Sequence, residues 1–120
     1  MDRNFGIIFY YWQPEGVFEP PINFYETDED FVIQVALAGV KKEDVKVFFR
    51  DGEIVIQGFR VFDFGEGEKK FYNLEIEQGK FEKRISVGYQ VEVDKISSKF
   101  ENGLLEIKIP KKKPKEIVIE

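Results

Sequence analysis

A chain of 120 residues that carries 13 Phe and 5 Tyr, no Cys, no His and a formal net charge of −5 is long enough for one core without disulfide or metal support. The missing Cys and His exclude a disulfide framework, a thiolate nucleophile, a Ser-His or Cys-His couple and any histidine-ligated metal. The acidic balance opposes binding to nucleic acid phosphates.

Burial carried by aromatic and β-branched side chains predicts mostly sheet. The cysteine-free composition suits a reducing compartment, so a cytoplasmic location is expected. The longest uncharged apolar run, residues 5–12, is far short of the roughly 20 residues of a membrane span and has no basic leader, so neither a span nor secretion is expected.

Residues 1–19 read as a short apolar arm. Phe5, Ile7, Ile8, Phe9, Tyr10, Tyr11 and Trp12 crowd together without a clean period, and such a window needs cover from its own domain, a partner subunit or another protein. Pro20-Pro21 closes the segment. Residues 20–109 then alternate in period two. Ile22 to Glu26 is a short strand, and Thr27-Asp-Glu-Asp30 a turn whose side chains bond locally. Phe31 to Leu37 is a strand that Gly39 ends. Lys41 to Asp44 is too short for more than one helical turn. Val45 to Arg50 and Glu53 to Gly58 flank Asp51-Gly52, a two-residue hairpin signal.

From 59 to 79 the pattern loosens around Gly65 and Gly67, with a weaker alternating piece formed by Phe71, Tyr72, Leu74 and Ile76. A connection near twenty residues needs a task, and one is to add a strand to a second subunit. Lys80 to Val87 is a strand. Ile96 to Phe100 and Leu104 to Ile109 flank Asn102-Gly103, the second hairpin turn, with Leu105 on the apolar face. Residues 110–120 are an extension: Pro110 and Pro114 bar a helix, Lys111 to Lys113 read as a solvated linker, and Ile117-Val118-Ile119 is a strand-like end with nothing local to pair with. No parallel βαβ rhythm appears. The fold class is all-β, an antiparallel immunoglobulin-like sandwich of about seven to nine strands.

Catalysis has few candidates. The only hydroxyls besides tyrosine are Thr27, Ser86, Ser97 and Ser98, Gly65-Glu-Gly67 lacks the helix a phosphate loop needs, and no cofactor is implied. A non-enzyme is expected.

The chain resembles the small heat shock proteins, whose shared unit is the α-crystallin domain. Pro20-Pro-Ile-Asn-Phe-Tyr-Glu26 is similar to the opening of that domain. Ala36-Leu-Ala-Gly-Val-Lys-Lys-Glu-Asp-Val45 is similar to its strand-turn-strand segment with alanine for proline, and Asp51-Gly-Glu-Ile-Val-Ile-Gln-Gly58 to its next hairpin arm. Ser98-Lys-Phe-Glu-Asn-Gly-Leu-Leu105 resembles its A-x-x-x-N-G-x-L pattern, and Ile117-Val118-Ile119 its terminal I-x-I anchor. Val87-Gly88 departs from the family's Leu-Pro, and the family's basic residue on that strand falls at Lys83 or Arg84.

The resemblance implies an ATP-independent holdase chaperone whose partners are unfolding proteins and further copies of itself. It implies a homodimer formed by strand exchange through Phe71, Tyr72, Leu74 and Ile76. It also implies tails whose Ile117 and Ile119 enter a groove between the strand of Val45, Val47 and Phe49 and that of Ile96, Ser98 and Phe100. A reading from another class is a monomeric sandwich module that docks on a larger chaperone; native mass separates the two.

Overall fold

The computed structural model describes residues 17–120, which form seven strands and two single turns of 3-10 helix, at Lys42–Asp44 and Val93–Lys95. The apolar arm residues Phe5 to Trp12 lie outside the described residues. Strands β1 (Ile22–Glu26), β2 (Asp30–Ala36), β7 (Leu104–Pro110) and β6 (Ser97–Glu101) make one sheet in the order β1-β2-β7-β6. Strands β3 (Val45–Arg50), β4 (Glu53–Arg60) and β5 (Gly79–Ser86) make the other in the order β3-β4-β5. Every named pairing is antiparallel. No helix among the described residues is long and apolar enough to cross a membrane.

The two hairpins owe their register to their turns. Asp51 and Gly52 have φ of 53° and 77°, and Asn102 and Gly103 have φ of 54° and 75°. Positive φ at both central positions gives the turn whose twist matches that of the flanking strands. It sets Arg50 opposite Glu53 and Glu101 opposite Leu104. A slip of one residue would turn the buried set of each strand to solvent.

Alternation then builds the core. Ile33 and Val35 of β2, Ile54 and Ile56 of β4, Phe81 and Ile85 of β5, and Leu105, Ile107 and Ile109 of β7 pack together, with Leu37 and Val91 from the connections. Phe18 joins them. Counted with the arm on sequence, it is buried, its N–H donates to Lys80 O at 3.0 Å, its carbonyl accepts from Glu82 N at 3.1 Å, and its ring lies 5.5 Å from that of Phe81. One residue of the incoming chain thus lies parallel against the outer edge of β5. Pro20 cannot donate the next bond, so the chain leaves for β1.

The 61–78 connection contains no strand. The expected alternating piece at Phe71, Tyr72, Leu74 and Ile76 pairs with no strand of its own chain, and a segment without a ladder leaves its main-chain groups to water. Lys111 also departs from the solvated reading of its basic run. Its ammonium meets Glu26 Oε2 at 2.5 Å and the Thr27 carbonyl at 2.7 Å, and lies 5.2 Å from the centre of the Phe31 ring.

Gly58 marks the tightest point between β4 and its neighbours. A methyl group there would collide with the Asp44 carbonyl and the Phe81 ring. Gly58→Ala should lower unfolding free energy by about 1–3 kcal/mol, the usual penalty of overpacking. A urea midpoint equal to that of the parent chain would show that Phe81 moves freely, against this account.

Candidate edge and tail surfaces

Among the described residues the candidate functional features are the sheet edges and the segments that leave them. In a two-residue hairpin the residues flanking the turn exchange main-chain hydrogen bonds, and every second residue does likewise. Arg50, Phe48 and Lys46 therefore bond to β4, while Val47 and Phe49 turn N–H and C=O outward and Val45, whose N–H caps the preceding turn at Lys42 O, turns its C=O outward. By the same count Glu101, Lys99 and Ser97 bond to β7, and Ser98 and Phe100 face outward. The outward-bonding residues of β3 have half-buried side chains that pack against the core, as do those of Ile96 and Phe100. Ser98 is exposed. Outward main-chain groups and half-buried apolar side chains thus coincide at Val47, Phe49 and Phe100.

A third edge lies on β1. Pro21 O accepts from Ala36 N at 3.1 Å and Thr27 N donates to Asp30 O at 2.8 Å, so odd positions bond to β2 and Ile22, Phe24 and Glu26 turn their main chain outward. Phe24 and Tyr25 are largely exposed. On the remaining edge, that of β5, Phe18 occupies one bonding position. Lys83 shares the face of Phe81 and Ile85, and an inward charge of this kind discourages edge pairing. Arg84 lies on the opposite face, 3.1 Å from Glu82 and 3.7 Å from Glu53. Hydrogen bonds from Gln57 and Arg84 hold the Glu82 carboxyl below its ordinary pKa.

The C-terminal extension is anchored at its root and free beyond it. Lys111 N donates to Glu29 O at 2.8 Å and Lys112 N to Gln90 O at 2.9 Å, and Val91 bridges Lys111. No regular structure follows Lys111. Ile117, Val118 and Ile119 are 78%, 82% and 95% exposed; the chain does not place them against Val45, Val47 and Phe49 or against Ile96, Ser98 and Phe100.

The family-motif turn has a packing task. Leu37 N donates to Gly103 O at 2.7 Å, the Ala38 backbone lies where a side chain at Gly103 would begin, and Leu105 is in the core. The turn therefore clamps the β2–β3 connection. At the base of the 61–78 connection Arg60 donates from Nε to Glu77 O at 2.8 Å and from Nη1 to Ala38 O at 3.1 Å. Its guanidinium carbon lies 5.0 Å from the Phe18 ring centre. Burial lowers the Arg60 pKa, partly opposed by the Glu77 carboxylate. Sequence reading missed Arg60 and Lys111 because their acceptors are main-chain carbonyls, which leave no trace in residue type.

Residues 23–120 match the family model described as Hsp20/alpha crystallin family. The chain is 36% identical over 103 residues to a 16.9 kDa class I heat shock protein of wheat, Triticum aestivum, a stretch that covers 82% of this chain and 68% of that one. Its fold is similar to that of heat shock protein 16.0 from Schizosaccharomyces pombe, with a TM-score of 0.72, 31% identity, and coverage of 86% of this chain and 99% of that chain. It is similar also to a small heat-shock protein from Xylella fastidiosa described as having a distinct high order structure, with a TM-score of 0.73, 25% identity, and coverage of 88% and 99%.

Removing the Lys111 ammonium should free the root of the extension without touching the core. In Lys111→Met, amide exchange at Lys111 and Lys112 is expected to accelerate by about tenfold or more, as for a locally opening segment. Unchanged exchange rates would assign the anchoring to the main-chain bonds alone.

Proposed function

The chain belongs to the Hsp20/alpha crystallin family, and from that membership we propose that it is an ATP-independent holdase, a chaperone that covers apolar segments of unfolding proteins and assembles from copies of itself. The observation that carries this reading is the coincidence, at β3 and β6, of outward main-chain groups with half-buried apolar side chains. An extended segment laid there gains ladder hydrogen bonds and apolar contact together. Nothing in such a surface requires nucleotide. Location in the cytosol follows from the cysteine-free composition and belongs to the same proposal.

Two kinds of segment suit that edge. One is the tail of another copy: Ile117 and Ile119 lie two apart, so an extended backbone sends both to one face. Val45, Val47 and Phe49 with Ile96, Ser98 and Phe100 are the proposed walls of the receiving groove. The other is an apolar stretch of an unfolding protein, which needs the same spacing and nothing more. Phe5, Ile7, Ile8, Phe9, Tyr10, Tyr11 and Trp12 are proposed to add client or subunit contact.

Pairing of copies is assigned to the 61–78 connection and the β1 edge. Phe71, Tyr72, Leu74 and Ile76 form no strand in their own chain, while Ile22, Phe24 and Glu26 of another copy have main-chain groups to spare. A strand completed across the pair would satisfy both. Assembly beyond the pair is supported by the Xylella relative's high order structure.

The tail contact should be weak by itself. Burying two isoleucines yields roughly 3–6 kcal/mol at about 1.5–3 each, and ordering several residues at about 1 kcal/mol apiece returns much of that. Repeated around a particle, such contacts hold the assembly while each tail still exchanges.

Heating an aggregation-prone protein with this one, without nucleotide, should suppress turbidity at near-stoichiometric ratio. Scattering that rises as in the protein-free control would overturn the holdase reading. The double variant Ile117→Ala, Ile119→Ala should give a smaller particle by light scattering. An unaltered mass would remove the tail from the assembly.

A further inference from the structure

The smaller sheet carries apolar side chains on both faces. Ile54 and Ile56 of β4 join the core, so by alternation Val55, Gln57 and Phe59 face away from it. Phe48 of β3 stands opposite Val55 on that outer face. Val17 lies at its margin, because Phe18 turns its ring into the core from the β5 edge and the residue before it points the other way. Val17 and Phe59 are 54% and 45% exposed, and apolar surface gathered in one place marks a contact site.

Between these two residues lies a hollow of about 410 Å³, bounded also by Lys46, Lys80, Glu43 and Glu82. An apolar bed with a charged rim suits an indole. The ring face attracts an ammonium group, and tryptophan does so best of the aromatic side chains; Lys46 and Lys80 are both exposed at the rim. A covered indole N–H needs an acceptor, which the Glu43 and Glu82 carboxylates supply.

The chain's one tryptophan, Trp12, precedes Val17 by five residues and is the first large apolar side chain upstream of it. Phe18 N and its carbonyl both bond to β5, which makes the incoming chain a neighbour of that strand. Phe59 on β4 therefore lies two strand spacings away, roughly 10 Å, while five extended residues span about 16 Å. Gln13-Pro14-Glu15-Gly16 puts proline second and glycine fourth in a four-residue turn, places where each is favoured. Residues 5–14 carry no charge, so this stretch brings no carboxylate against Glu43 and Glu82.

We infer that Trp12 seats in this hollow on its own chain, with its indole against Phe59 and Val17 and within reach of the Lys46 and Lys80 ammonium groups. The seat is on the outer face of the smaller sheet, apart from the outward main chain of β3 and β6, so it does not depend on the holdase reading. Trp12 is thereby set apart from the arm residues farther upstream, which keep the client or subunit contacts proposed above.

The chain has no cysteine, so Lys46→Cys places a single thiol at the hollow for a bimane label, whose emission a touching indole quenches. In the full chain this label should be quenched relative to the same label in a Trp12→Phe background. Adding Phe59→Lys, at a half-exposed position outside the core, should restore the emission and retain the parent's urea midpoint. Labelled Trp12→Phe chains, unfolded with an excess of unlabelled parent and refolded together, should stay bright. Quenching in that mixture as deep as in the labelled Trp12 chain puts the indole on a neighbouring copy and overturns the inference. Equal emission with Trp12 and with Trp12→Phe overturns it too, as does quenching that survives Phe59→Lys. None of these results bears on the turbidity assay, so the two readings fail separately.

Discussion

The structure turns on a geometric fact of short hairpins: the residue that sends its side chain toward the core on β3 and β6 is also the residue that sends its main chain away from the sheet. With two-residue turns at Asp51-Gly52 and Asn102-Gly103 the parity cannot be otherwise. The two sheets therefore close on each other through side chains while their edges stay open in backbone. A barrel would have sealed these edges. This sandwich leaves them open.

Long cationic side chains manage what leaves the sheets. Lys111 fixes the root of the extension to the Thr27 carbonyl and Glu26, Arg60 fixes the neck of the loop to the Glu77 and Ala38 carbonyls, and Lys69 closes the loop tip. In each case a flexible stem reaches main-chain oxygen, an acceptor that every residue supplies. Roots are thereby held while the apolar ends, Ile117 to Ile119 and Tyr72 to Ile76, stay exposed. Bonds between an ammonium or guanidinium and a carbonyl carry no opposing full charge. Salt should affect the Arg60 and Lys69 contacts less than it affects the exposed Arg84 pairs with Glu53 and Glu82, whereas Lys111 also pairs with the Glu26 carboxylate.

Much of this was legible in the residues. Period-two alternation located all seven strands, because inward positions of β2, β4, β5 and β7 are Ile, Val, Leu and Phe with few exceptions. The turn chemistry of Asp51-Gly52 and Asn102-Gly103 located both hairpins, and the one-turn helix before β3 followed from its brevity. What could not be read was any contact whose acceptor is main chain: Lys111 looked like linker charge, and Arg60 fell in the loosened stretch after Gly58, although β4 runs on to it. Phe18 was hidden for another reason. Two prolines follow it closely, and nothing local shows that a residue ahead of them lies back across β5. The 61–78 stretch alternates well enough to suggest a strand, but a strand is a relation between two segments, and alternation in one segment does not supply the other.

On the function proposed above, tail and client compete for one edge because of its chemistry. A groove that recognises spacing and main chain cannot exclude either occupant, so the balance rests on local concentration. A tethered tail holds its site through the effective concentration that its neighbours in a particle provide. A client segment must exceed that with more apolar area or by arriving where a tail has momentarily left. Warming exposes such segments on other proteins and raises the entropic penalty of an ordered tail, and both changes move occupancy in one direction. On that reading a response to temperature needs no dedicated switch: it is set by how few kilocalories each tail contributes, which two isoleucines on an eleven-residue extension keep small.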